Sequence, residues 1–171
     1  MKISSQEEYG LRCLLRLARA EDGQSLTIPQ IAASEGLSAP YVAKLLSVLR
    51  QAGLIESVRG RSGGYRLSGS PADVHLGAVL MALGEPLFED PGYCQQHHGT
   101  ETTCVHMGGS CTLRALWQTL DLWMRRALDQ VTLADLLQSE GRITELLRAR
   151  LAEAVLEAPS TLIPLTLATE N

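Results

Sequence analysis

A chain of 171 residues, 45% hydrophobic and 20% charged, is long enough for one sizeable core, so neither disulfides nor a metal is required simply to hold it together. No uninterrupted apolar run approaches the ~18 residues that span a bilayer, and the start MKISSQEEYG lacks the basic-then-apolar order of a signal peptide, so a soluble, cytoplasmic protein is expected. The net charge of −4 hides an asymmetry: residues 1–70 hold nine Lys/Arg against six Asp/Glu and residues 71–171 six against thirteen, a basic front and acidic back that suit a DNA-contacting module joined to a part facing something else.

The first helix is predicted over EEYGLRCLLRLARA, with Tyr9, Leu11, Leu14, Leu15, Leu17 and Ala18 on one face and Arg12, Arg16 and Arg19 opposite. Cys13 inside this pattern reads as a small buried hydrophobe. Thr27 then caps a short helix with Pro29 in its first turn, ending near Gly36. Ser38 caps the next, with Pro40 in its first turn and Val42, Leu45, Leu46 and Leu49 facing inward until Gly53 stops it. Two short helices joined by EGLS have the layout of a helix-turn-helix, although an ordinary helical hairpin shares it.

The segment after Gly53 favours the DNA-binding reading. LIESVRGRSGGYRLS alternates apolar and polar residues on both sides of a turn at Ser62, Gly63 and Gly64, flanked by Arg59, Arg61 and Arg66. A hairpin with several arginines directly after a recognition helix is what a winged helix needs, because arginine fits phosphates and narrow minor grooves. The competing reading is a solvated charged hairpin.

After Pro71 an apolar helix is expected in VHLGAVLMALGEPL, and the chain then enters CQQHHGTETTCVHMGGSC. Beyond it, LRALWQTLDLWMRRALDQV sets Leu113, Leu116, Trp117, Leu120, Met124, Ala127 and Val131 in a seam broad enough for more than one neighbour, a natural dimer element in a long helix with two tryptophans. Thr132 is read as the cap of a further helix in TLADLLQSE, with Asp135 in its first turn. From Gly141 the stretch RITELLRARLAEAVLEA reads as helical, before a tail expected to be mobile. The expected organisation is a winged helix-turn-helix over 1–70, a cysteine loop and dimerisation helix over 71–137, and a C-terminal extension over 138–171.

The cysteine segment holds three cysteines and three histidines in eighteen residues. In a reducing cytosol they favour metal binding or redox chemistry over a disulfide framework. Cys94, Cys104 and Cys111 with one of His97, His98 or His106 would satisfy structural zinc, but their separations of nine and six intervening residues are loose beside the tight knuckles zinc uses. An iron–sulfur cluster is a broader object that ligands farther apart can hold, and Gly92, Gly99, Gly108 and Gly109 give the loop freedom to wrap it. Peroxide-sensing thiols lack a defined resolving pair here. Catalytic Cys–His chemistry lacks an orienting third group, and no enzymatic activity is expected.

Taken together, MKISSQEEYGLRCLLRLA, GLSAPYVAKLLSVLRQAGLIESVRGRSGGYRLS, the cysteine loop and LRALW resemble the winged-helix bacterial transcriptional regulators of the IscR, NsrR, RirA and CymR family over roughly residues 1–137. The resemblance implies a mainly α fold with a small β-hairpin wing, and a homodimer with two winged-helix heads and a long crossing dimer helix, bound to a double-stranded DNA operator. In cysteine-bearing members it implies an iron–sulfur cluster, 2Fe–2S or 4Fe–4S, that senses iron, redox state or nitric oxide. Cys94, Cys104 and Cys111 take the places of the three ligating cysteines. Three residues after the third cysteine, where the closest family pattern has a ligating histidine, this chain has Arg114. Glu8 stands where other members use a carboxylate from the partner subunit, with His97, His98 and His106 as competitors; a first-turn helix acid is the plain alternative for Glu8.

The DNA-reading residues carry over in part. The recognition helix begins at Ser38 and Tyr41 matches, but Ala43 and Lys44 replace a glutamate and a glutamine. Lysine cannot imitate the amide's paired contact to adenine, so a different operator is expected. Arg59 and the Gly63–Gly64–Tyr65 turn match the wing, with Arg59 expected at a minor groove or phosphate and Arg61 beside it. The rival from another class is a zinc-stapled structural or protein-interaction module that carries a helix-turn-helix.

Overall fold

The computed structural model describes residues 3–20, 24–60, 63–85, 88, 92–102, 104–106 and 111–156, leaving aside the side chains of 151 and 153–156. The elements run α1 Ser5–Ala18, α2 Ile28–Glu35, α3 Ala39–Gln51, β1 Ile55–Val58, β2 Gly64–Leu67, α4 Leu76–Leu83, α5 Gly92–Gln96, α6 Thr112–Asp129 and α7 Glu140–Leu156. Among the described residues the architecture is thus mainly helical with one antiparallel hairpin, as expected.

The first three helices begin, and α2 ends, for local reasons. Ser4 and Glu7 form a reciprocal capping box on α1, and Thr27 and Gln30 form one on α2. Helix α2 stops at Gly36, which takes the left-handed conformation at φ 66°. Ser38 occupies the N-cap of α3, but its side chain makes no capping bond. The chemistry explains this: Pro40 has no N–H, and the N–H of Tyr41 is turned to the Ser38 carbonyl oxygen at 3.1 Å.

The helical spacing of the apolar residues closes a single core. Cys13, Leu14 and Leu17 of α1, Ile31 of α2, Val42, Leu45, Leu46 and Leu49 of α3 and Ile55 of β1 are buried with Val74, Val79, Leu83 and Leu133. A fully buried leucine contributes ~2 kcal/mol, so this cluster outweighs any single cap or ion pair.

In the hairpin Ile55 pairs with Leu67 and Val58 with Gly64. Tyr65 also bridges Leu26 through two backbone bonds of 2.8 and 2.9 Å, which pins the wing to the segment entering α2. Gly64 is required there, because a Cβ would lie 2.5 Å from the Leu26 carbonyl oxygen.

A second backbone clasp joins the start of α4 to the end of α6. Leu76 N–H donates to Val131 and Leu133 N–H to Val74, each at 2.8 Å, around a bridge between His75 and Thr132. Gly77 lies so close to Asp129 that a side chain would collide with its carboxylate.

Two elements differ from the sequence-based expectation, whereas the helix expected from Gly141 is present as α7. The helix expected after Thr132 is one 3-10 turn, Asp135–Leu137. Thr132 and Asp135 do exchange capping bonds, but Thr132 is also held in the bridge to His75, which prevents the chain from winding on as α-helix. The cysteine segment contains the short α5, with Cys94 inside it. Helix α7 begins at Glu140 and packs against α6 and the 3-10 turn. The expected mobile tail lies outside the described residues.

Candidate nucleic-acid interface and cysteine segment

The helix-turn-helix leaves a coherent face of α3 open. Ser38, Ala39, Pro40 and Lys44 are exposed, and Tyr41 and Ala43 are half-buried beside them. Lys44 and Arg59 make no ion pair among the described residues, so both cations are available to an anionic partner. Arg59 is exposed immediately after β1. Gly63 donates its N–H to the Gly60 carbonyl oxygen at 2.9 Å and closes the wing turn, while Gly60 takes φ 112°. Arg61 lies outside the described residues. Arg66 is already engaged, donating from Nε to Glu56 Oε1 across the hairpin at 2.6 Å.

Tyr41 does not stand alone. Its ring meets Tyr9 edge to face at a centroid separation of 6.0 Å and an interplanar angle of 84°. Arg12 sits 5.4 Å from the Tyr9 ring centroid and donates to Glu35, from Nε to Oε2 and from Nη2 to the backbone oxygen, both at 3.0 Å. Helix periodicity assigned Arg12 to the solvent face of α1. Its partner is twenty-three residues away, a separation that no local pattern reveals.

The four thiols fall into two environments, and none is in a disulfide. Cys13 is fully buried, as its place in the first helix predicted. Burial first, and the Glu35 carboxylate second, push its thiol up to about 11, against a smaller opposing pull from Arg12. Cys94, Cys104 and Cys111 are each half-buried. Cys111 is the N-cap of α6, where its sulfur accepts the Arg114 N–H at 3.5 Å, so one thiol stands at the positive end of the long helix.

Among the described residues, no three His, Cys, Asp or Glu side chains converge closely enough to hold a metal. The chemistry of the donor set, three unpaired and partly accessible thiols on one segment, suits iron or zinc; a complete set of ligands is not assembled among the described residues of one chain. Glu8 is exposed on the first turns of α1. Of the competing histidines, His97 stacks on Tyr93 and pairs through Nδ1 with the Tyr93 carbonyl oxygen at 2.8 Å, and His106 is exposed. His98 differs, since its Nδ1 is shut from water and has no hydrogen-bond partner among the described residues.

Helix α6 then carries an exposed apolar stripe. Leu113 is 59% exposed and Trp123 43%, with Leu116, Trp117 and Leu120 open between them. The sequence-predicted seam divides: Leu113, Leu116, Trp117 and Leu120 face outward, whereas Ala127 and Val131 are buried and Met124 is half-buried. Trp123, absent from that seam, extends the open stripe. No helix of the described residues is long and apolar enough to cross a membrane.

Comparison with known proteins agrees with this architecture. Residues 3–139 match the Rrf2 family model, described as an iron-dependent transcriptional regulator. The chain is 37% identical over 138 residues to Protein rrf2 of Nitratidesulfovibrio vulgaris, covering 81% of this chain and 88% of that one. It is 37% identical over 151 residues to the HTH-type transcriptional regulator NsrR of Geobacillus kaustophilus, covering 88% and 99%. Among solved structures, IscR of T. potens superposes with a TM-score of 0.61 at 31% identity, over 80% of this chain and 86% of that one. The family is one of transcriptional regulators rather than enzymes, and the matched region takes in the helix-turn-helix, the wing, the cysteine segment and α6. The chain belongs to the Rrf2 family of transcriptional regulators.

Proposed function

We infer that the protein is a homodimeric regulator that grips operator DNA with α3 and the wing and senses its signal through an iron–sulfur cluster on the cysteine segment. The observation that carries the reading is that three partly accessible, unpaired thiols lie on the segment that leads into α6, with Cys111 as the cap of that helix. Ser38, Tyr41 and Lys44 would meet the major groove and its phosphates, and Arg59, Arg61 and Gly63 the backbone or minor groove beside the wing. The apolar stripe from Leu113 to Trp123 would be covered by the same stripe of a second copy, since an exposed seam of this kind on a long helix suits an isologous contact.

Cys94, Cys104 and Cys111 would hold the cluster, with Glu8 of the partner subunit as fourth ligand. A carboxylate binds iron less firmly than a thiolate, which suits a group meant to be lost or altered. When bound, the cluster supplies a centre that responds to iron supply, oxidants or nitric oxide. The chain's own contribution is mechanical. Cys111 sits at the origin of α6, and α6 ends in the backbone clasp with Val74 and Leu76, so a shift of the loop bears on the heads through a rigid helix. Occupancy changes operator affinity only in so far as the two states bind DNA differently.

A second reading is favoured by His98, whose Nδ1, without a hydrogen-bond partner among the described residues, would suit a metal ligand. It gives a zinc site of three thiolates and one imidazole that staples an interaction module. Anaerobic purification followed by a visible spectrum and iron, sulfide and zinc analysis separates the two. Iron with sulfide and visible absorption is the expected result; zinc without sulfide would overturn the cluster. Equal operator affinity of cluster-loaded and cluster-free protein at fixed salt would overturn the switch.

A further inference from the structure

An ion pair and two aromatic rings form a continuous line from the end of α2 to the first turn of the recognition helix. Glu35 fixes the Arg12 guanidinium at two points, through its carboxylate and its backbone oxygen, both at 3.0 Å. The guanidinium lies 5.4 Å from the Tyr9 centroid, and Tyr9 meets Tyr41 edge to face at 6.0 Å. Each contact restricts the next. Two donors of a rigid fork set the guanidinium plane, a cation near a ring resists displacement of that ring, and the perpendicular pair is a favoured aromatic geometry. Tyr9, Arg12 and Tyr41 are all half-buried, and both rings pack against the core, so the line is anchored in the rigid part of the head.

We propose that Tyr9 is a positioning residue for DNA binding: it holds the Tyr41 ring so that the phenol presents its hydroxyl to a phosphate of the duplex, and Arg12 holds Tyr9. The inference rests on the proposed role of Tyr41 as a DNA contact. A tyrosine hydroxyl donates to phosphate oxygens and sets register without reading a base. A ring already held in place loses less rotamer freedom when that bond forms, and the saving appears as affinity. Tyr9 needs no contact with DNA. Its task is to limit what Tyr41 can do before the duplex arrives.

The test is a double-mutant cycle on the full-length protein, read by fluorescence anisotropy on a labelled duplex enriched by the wild-type protein from a random-sequence pool. Tyr41→Phe should weaken binding roughly tenfold, the loss of one hydrogen bond to a charged acceptor. Tyr9→Leu should weaken it roughly threefold, Tyr9→Phe should restore wild-type affinity, and Tyr9→Leu should add nothing in the Tyr41→Phe background. A merely structural role for Tyr9 would lower affinity equally in both backgrounds, and that result overturns the proposal. Unchanged binding by Tyr41→Phe would instead remove the DNA contact on which it rests. Arg12→Met keeps the stem and removes the charge, so it provides the same cycle should Tyr9→Leu unfold, with thermal melting of every variant as the fold control. Additivity of Arg12→Met with Tyr41→Phe overturns the proposal equally.

Discussion

Arg150 of α7 donates from Nη1 to Asp135 Oδ2 at 2.6 Å, across the turn that joins α6 to the C-terminal helix. The same carboxylate oxygen accepts the N–H and the hydroxyl of Thr132, each at 2.8 Å, and the arginine also reaches the Gln130 carbonyl oxygen. Asp135 is buried and so holds three donors at once. Asp135→Ala should therefore destabilise the protein by about 2 kcal/mol, because it strands the N–H of the turn. Arg150 is a third exposed, and its removal leaves Asp135 satisfied by Thr132, so Arg150→Ala should cost less, ~0.5–1 kcal/mol. Urea denaturation of the two variants checks the order; equal losses would mean that the ion pair, rather than the cap, dominates.

The two hairpin arginines should behave differently on DNA. Arg59 has no acidic partner among the described residues, whereas Arg66 is held by Glu56. Arg59→Ala should weaken binding to all duplexes alike and lower the slope of log affinity against log salt by about 1. Arg66→Ala should change that slope less. Titrations at several salt concentrations provide the comparison, and an unchanged slope for Arg59→Ala would remove it from the interface.

If α6 pairs with a second copy, a charge in the middle of its open stripe should separate the copies without unfolding either. Leu116→Glu or Leu120→Glu should shift sedimentation from dimer to monomer, because a buried unpaired carboxylate costs several kcal/mol in an interface. Both positions are open to solvent in the single chain, so far-ultraviolet dichroism should stay unchanged. A dimer that survives both substitutions places the contact elsewhere.

The four cysteines should sort by chemistry. If the loop thiols hold the proposed cluster, serine at Cys94, Cys104 or Cys111 should remove iron, sulfide and visible absorption, while Cys13→Ala should keep them at a cost to folding of about 1 kcal/mol. Alkylation at mildly alkaline pH should label the cluster-free protein at the three loop thiols well before Cys13, which is fully buried and stays protonated until about pH 11. Labelling of Cys13 at the rate of the others would contradict its burial.

The raised Cys13 pKa also fixes the sign of a pH effect. An unfolded thiol ionises near 9.0 and the folded one near 11, so between these values the native state binds more protons and stability falls as pH rises. The contribution is fully present below pH 9.0. The difference in unfolding free energy between wild type and Cys13→Ala should narrow across this window and stay flat beneath it; a constant difference would show that the thiol ionises alike in both states.

Much of the head is written in short-range chemistry. Thr27 with Gln30, Gly36, and the alternation through LIESV and GYRL are local signals, and each produces the expected cap, stop or strand because nothing distant opposes it. The vacant cap at Ser38 was also local, since Pro40 removes a donor, but it requires tracing where every N–H goes. Other features depend on partners far along the chain. Arg12 finds Glu35, Thr132 is drawn into a bridge with His75, and Arg150 finds Asp135; periodicity cannot foresee such meetings. The cysteine segment was legible as chemistry through its residue types. Its geometry was not, because Cys94 in α5, Cys104 and Cys111 at the cap of α6 share no period that fixes how far apart they lie.

The clasp between His75 and Thr132 bears on how the molecule is divided. Val74, Val79, Leu83 and Leu133 complete the core on which α1, α2 and α3 rest, although all four come after the wing in sequence. A fragment ending at residue 70 would present the inner faces of those helices to water with four of their apolar neighbours missing. The core of the first three helices is thus shared with segments beyond residue 70, which are tied, through Val131 and Leu133, to the end of α6. Under the proposed switch, a movement of that helix would therefore reach the floor of the helix-turn-helix through two backbone hydrogen bonds rather than through a linker.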